Sequence, residues 1–207
     1  MRRMFTESLP ISLTKASRAA MLGFDIIWLG LFATPAAVGN YGASRRFVGV
    51  GTLIVGLLYT TFLPRLIRVQ SASLTGGRRL VRLARWRATA ALVPLALIGV
   101  LLAPWATQLL LGVDFAPAGR ILQILGWTVV LAGIAGPSQE TLLSQGLETT
   151  LLKLAAVAAV TVILLDVALI PAYGAMGAAV AAVIGEAVRL ALLTRAANRA
   201  LAPISGP

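Results

Sequence analysis

Lys15, Arg18 and Asp25 fall at i, i+3 and i+10 with Leu22 between them, so on a helix their three charges share one face. An ionisable group inside a bilayer costs several kcal/mol, so such a stripe calls for a water-filled cavity or a charged partner. At about 1.5 Å of rise per residue, Arg18 lies on the order of 13 Å past Leu9, too deep for easy snorkelling, and the stripe reads as the lining of a wet cavity. The plainer arrangement has Lys15 reaching back to the near interface and Arg18 paired with an acid on a neighbouring helix. Both arrangements fit one cavity.

Four other ionisable residues lie in apolar surroundings. Asp166 interrupts the apolar run 163–181, four residues before the outer end expected near residue 170 for the span that holds it, close to the level expected for Arg45, Arg46 or Arg120. It reads either as an ion-pair partner there or as a gating or coupling group. Glu140 follows Gly136 and Pro137, a pair that lets a helix bend, and is placed to close a cytoplasmic gate against an arginine-rich segment. Glu186 and Arg189 are three apart, where pairing within one helix is the cheaper explanation.

The remaining inventory excludes most catalytic chemistry. There is no histidine and no cysteine, so the usual zinc sets, serine–histidine triads and cysteine nucleophiles are ruled out. The seven acids are never closer than eight residues, which leaves no clustered metal motif. Neither Lys15 nor Lys153 follows a glycine, so the phosphate-loop pattern of an ATPase is missing. The chain is expected not to be an enzyme and to need no metal or cofactor.

The elements that position these residues are set by lipid. Of 207 residues 58% are hydrophobic and only 12% charged, with a mean hydropathy of +0.90, outside the balance of a water-soluble domain. Apolar runs suited to a hydrocarbon core about 30 Å thick predict six transmembrane helices, over about 9–32, 47–67, 88–111, 119–144, 150–170 and 175–198, in a single all-α membrane domain. Turns are expected at Thr34-Pro35 and at Gly39-Asn40-Tyr41-Gly42, an arginine-rich cytoplasmic loop over 68–87, and a break in the fourth span at Gly136-Pro137.

Seven arginines lie between positions 65 and 87 with no acid among them, and others fall at Arg2, Arg3, Arg195 and Arg199. On the positive-inside rule both termini are cytoplasmic, and the net charge of +11 reflects topology in an inner membrane, not nucleic-acid binding. Arg45 and Arg46, at the outer end of the second span, are not explained by that rule. Lys15 and Arg18 interrupt what would be the apolar region of a signal peptide. Trp105, Tyr41 and Tyr173 at outer ends and Trp86 at an inner end read as interfacial anchors. Small residues every fourth position, Gly177-Ala181-Gly185 and Gly174-Ala178-Ala182, form faces on which helices approach closely.

The segment FDIIWLGLFATPAAVGNYGASRR, with Asp25, Gly39, Tyr41, Ala43 and Arg45, resembles the start of the second half of polysaccharide flippases, in the superfamily that includes lipid II flippases and multidrug extruders. ALIPAYGAMGAAVAAVIGE resembles the penultimate loop and following helix of the same family. The resemblance implies an all-α bundle of six transmembrane helices, one lobe of a two-lobed flippase. It implies passage of a polyprenyl-diphosphate-linked oligosaccharide to the outer leaflet by alternating access, with Arg18 first, Lys15 second and Asp25 beside them at the substrate. Asp166 and Glu140, with Gly136 and Pro137, would serve gating or coupling.

Two departures stand out: Asp166 replaces the family's common asparagine, and family members have twelve to fourteen helices in two lobes. A second six-helix lobe is therefore expected as a partner, from a homodimer, a separate chain or the rest of a longer one, together with membrane lipids. A non-transporting scaffold of a polysaccharide-synthesis complex and a multidrug exporter are the alternatives.

Overall fold

The computed structural model describes residues 23–70 and 74–201. Its elements are α1 (Gly23–Phe32), α2 (Pro35–Gln70), α3 (Leu74–Leu111), a short tight turn at Val113–Phe115, α4 (Ala116–Ser144) and α5 (Glu148–Ala200). An apolar chain surrounded by lipid has to satisfy its backbone polar groups internally, and helix does so within one segment. Boundaries follow local chemistry. The Thr34 hydroxyl accepts from the Ala37 amide at 3.3 Å, capping α2 just ahead of Pro35, whose missing amide proton costs nothing at the first helical position. Gly112 and Gly146, both at positive φ (94° and 70°), end α3 and α4.

Three helical stretches are long and apolar enough to cross a bilayer, Val81–Leu111, Val113–Ser144 and Glu148–Ala200, and α1 is a shorter apolar helix. The count differs from the six expected spans. Of the first span only α1 lies within the described residues, and the second is part of α2. The fifth and sixth form one helical run of 53 residues with a single non-helical residue, Gly174 (φ 56°, ψ −136°). A straight helix of that length would measure about 80 Å, yet Gly185 lies directly against Val162, and Gly177 against the backbone of Leu169 and Ile170. The chain therefore turns back at Gly174, and residues 148–173 and 175–200 pack as antiparallel legs.

The outward surface of α3 is apolar over a bilayer's thickness. Trp86 and Trp105 are 71% and 63% exposed, and the apolar side chains between them, Leu95, Ile98 and Leu101 among them, face outward. The two indoles are nineteen residues apart, about 28 Å along the helix, close to the hydrocarbon thickness that interfacial tryptophans bracket.

Three expectations from local composition do not hold. Gly39 to Gly42 are helical within α2, where the Asn40 amide donates to the Ala36 carbonyl at 2.9 Å and the Ser44 hydroxyl to Asn40 O at 2.9 Å. The expected loop 68–87 is helical over 68–70 and 74–87; arginine and leucine are good helix formers, and they outweigh Gly76 and Gly77. Finally, α4 runs through Gly136 and Pro137 as helix.

At the centre lies α4, in contact with α3, α5 and α2. Its register against α3 is close: a Cβ on Gly119 would sit 2.6 Å from Pro104 Cα, and the Ser44 hydroxyl ties α2 to α4 by donating to Ala118 O at 2.8 Å. Two apolar clusters occupy opposite poles. One gathers Leu29, Tyr41, Leu125, Ile170 and Ala178 near the Gly174 reversal. The other gathers Ala135, Leu142, Leu151, Leu193 and Ala197, beside Asn198, which accepts from Arg85 at 3.3 Å. The arginine-rich end of α3 is thus at the opposite pole from Gly174.

Candidate functional site

Asp25 stands on α1, and Tyr41 and Arg45 stand one turn apart on α2, so both face the same neighbour. The Tyr41 hydroxyl donates to Asp25 Oδ2 at 2.6 Å. Arg45 Nη1 lies 3.3 Å from the same oxygen, and the Arg45 guanidinium sits over the Tyr41 ring at 5.8 Å from its centroid. The other oxygen, Oδ1, accepts from the Ile26 amide at 2.9 Å. Asp25 is 2% exposed and Tyr41 wholly buried. Every oxygen of this carboxylate is therefore bound, and within hydrocarbon that is what an ionised acid requires.

Asp166, on the first leg of α5, is treated differently. It is completely buried, and among the described residues neither carboxylate oxygen has a hydrogen-bond partner. It stands within electrostatic reach of Asp25, Tyr41 and Arg45. The expected ion pair with Arg45, Arg46 or Arg120 is not formed; Arg45 is held by Asp25 instead. Among the described residues, two carboxylates thus share one nearby guanidinium. If both are ionised, one negative charge is in excess, in surroundings where an unpaired charge is costly. A single proton or monovalent cation cancels it, and taking up or releasing that charge is the chemistry the arrangement permits.

The walls around this cluster are close-packed. The buried face of α5 is built from Gly177, Ala178, Ala181 and Gly185, as the small-residue spacing predicted. Phe24 and Phe32 flank Trp28 on α1, with ring centroids 5.8 Å and 5.1 Å away.

The other expected site residues lie apart from this cluster or outside the described residues. Lys15 and Arg18 belong to the latter. Glu140 is half-buried near the centre of the arginine-pole half of α4, one residue after Gln139, and Gly136 and Pro137 lie on the same helix with Pro137 buried. Glu186 and Arg189 do pair within the second leg of α5, through Arg189 Nε at 2.9 Å among other contacts. Arg189 Nη1 also donates to Gln139 at 3.1 Å, linking α5 to α4.

Sequence reasoning missed Tyr41 and Arg45. Tyr41 was read as an interfacial anchor and is instead wholly buried on Asp25; Trp105 and Tyr173 are exposed as expected. Arg45, unexplained by charge topology, is explained by Asp25. Their i, i+4 spacing downstream of an apolar-embedded acid was the available signal. Among the described residues no group of three or more His, Cys, Asp or Glu side chains is placed to hold a metal ion. Compared with known proteins, the chain matches no family model and none of the curated proteins.

Proposed function

We propose that this chain is one six-span lobe of a membrane flippase for a polyprenyl-diphosphate-linked oligosaccharide, working with a second lobe in an inner membrane with both termini cytoplasmic. The spans would be α1 with the residues before it, α2, α3, α4 and the two legs of α5. Substrate class and partner rest on the sequence resemblance. The observation that carries a transport role is Asp166, an acid with no partner beside the satisfied Asp25. In this reading Lys15 and Arg18 attract the diphosphate, and Asp25 with Arg45 and Tyr41 forms the fixed half of a coupling centre. Asp166 is its variable half, and Glu140, Gly136 and Pro137 shape the cytoplasmic side. A scaffold would require buried charges to pair off completely, and Asp166 argues against it.

The test is a flipping assay. Protein purified with its native partner and placed in proteoliposomes is given a labelled polyprenyl-diphosphate oligosaccharide, and its appearance at the far leaflet is timed. Asp166→Asn and Arg18→Ala are each expected to slow transfer about tenfold or more, which corresponds to at least 1.4 kcal/mol in the barrier, with membrane insertion unchanged. Wild-type rates for both variants would discard the transport assignment.

A further inference from the structure

Arg82, Arg85, Trp86 and Thr89 follow i, i+3, i+4 and i+7 on one face of α3, where they line a hollow of about 330 Å³. None of the four is acidic, and two are arginines one turn apart. Arg85 points its Nη2 at Asn198, while its Nη1 is buried and has no hydrogen-bond partner among the described residues. Among the described residues neither Arg82 nor Arg85 has a carboxylate partner, and an anion seated in the hollow would meet both guanidinium groups. The Thr89 hydroxyl is engaged by its own helix, donating to the Arg85 carbonyl at 2.9 Å, so the two guanidinium groups and the Trp86 indole N–H are the donors left to meet such an anion.

The depth of the hollow says which anion. Trp86, on its rim, is 71% exposed and stands at the arginine end of the apolar face that reaches about 28 Å to Trp105. That is the level of the polar headgroups. A phosphate carried on a lipid is held at this level already, whereas a free phosphate has to be drawn from bulk water.

We propose that this hollow binds the phosphate of an anionic phospholipid, with Arg82 and Arg85 as a two-guanidinium clamp and Trp86 packed beside the glycerol and upper acyl chain. The site rests on membrane embedding alone and is independent of what the chain transports.

The test uses the detergent-purified full chain and phosphatidylglycerol, with phosphatidylcholine and inorganic phosphate as comparison ligands, at physiological salt. Wild type is expected to retain phosphatidylglycerol in preference to phosphatidylcholine. Arg82→Gln and Arg85→Gln should each weaken retention about tenfold, the loss of a charge-assisted contact, and Arg85→Lys should fall between. Arg79→Gln and Arg87→Gln remove the same charge from exposed positions of the same helix outside the hollow, and retention should be unchanged. Equal losses from all four glutamine variants would reduce the effect to general surface attraction and overturn the site. Inorganic phosphate that competes at equal concentration would overturn the lipid assignment. So would a polyprenyl diphosphate that displaces phosphatidylglycerol at equal concentration, by making the hollow a station for transported lipid. Should Arg85→Gln fail to fold, Arg82→Gln, at an exposed side chain, decides the matter.

Discussion

A carboxylate among apolar helices needs either a proton or a full set of partners, and Asp25 has the partners. Tyr41 and Arg45 both address its Oδ2, so removing either leaves a buried acid short of compensation. Tyr41→Phe is expected to destabilise the protein by about 1.5–3 kcal/mol, the range for a hydrogen bond to a charged group. Arg45→Ala should cost about 3–5 kcal/mol, as when one member of a buried ion pair is deleted. Unfolding in mixed micelles with increasing denaturing detergent would measure both, and wild-type stability for Arg45→Ala would show that the pair contributes nothing. Asp166 gives the opposite sign: with no partner to lose, Asp166→Asn should leave stability unchanged or raise it while transport falls. Asp25 was legible in the sequence because an acid in an apolar run stands out. Its partners were not, since a tyrosine and an arginine near a span end look like interface residues until α1 and α2 are brought together.

At the scale of elements, the reversal within α5 depends on two glycines for different reasons. Gly174 holds φ 56° and ψ −136°, a combination that residues with a Cβ avoid at a cost of order 1–3 kcal/mol. Gly177 has ordinary helical geometry, but a Cβ there would lie 2.7 Å from the Leu169 carbonyl carbon. Backbone cannot swing aside as a side chain does, so Gly177→Ala should cost about 1–3 kcal/mol by overpacking. Gly39→Ala is the control: the added methyl meets nothing within 4 Å inside α2, and removing a mid-helix glycine should stabilise by about 0.5–1 kcal/mol. Equal melting of Gly177→Ala and Gly39→Ala would show that the hairpin does not depend on close approach. The small-residue spacing along 174–185 announced this contact in advance. The helicity of 39–42 and of 74–87 was hidden, because single glycines and serines signal turns locally, whereas long helices in lipid keep their backbone bonded through them.

At the scale of the whole molecule, the arginine-rich end of α3 and the Gly174 reversal occupy opposite poles, and α3 presents an apolar face of bilayer length. Single cysteines are cleanly placed in a chain that has none. Arg79→Cys and Tyr173→Cys, at exposed positions, should react with a membrane-impermeant thiol reagent from opposite sides of intact vesicles. Labelling of both from the same side would reject the crossing arrangement. The sequence alone determined that the chain is helical, apolar on the scale of a bilayer, rich in arginine between positions 65 and 87 and without histidine or cysteine, because these follow from composition and from properties repeated along the chain. Only the tertiary structure decided that Tyr41 and Arg45 belong to Asp25, that Asp166 stands beside them with no partner of its own, and that Arg85 reaches Asn198. Each of these depends on which faces of distant helices meet, and spacing along one helix carries no record of its neighbour's register.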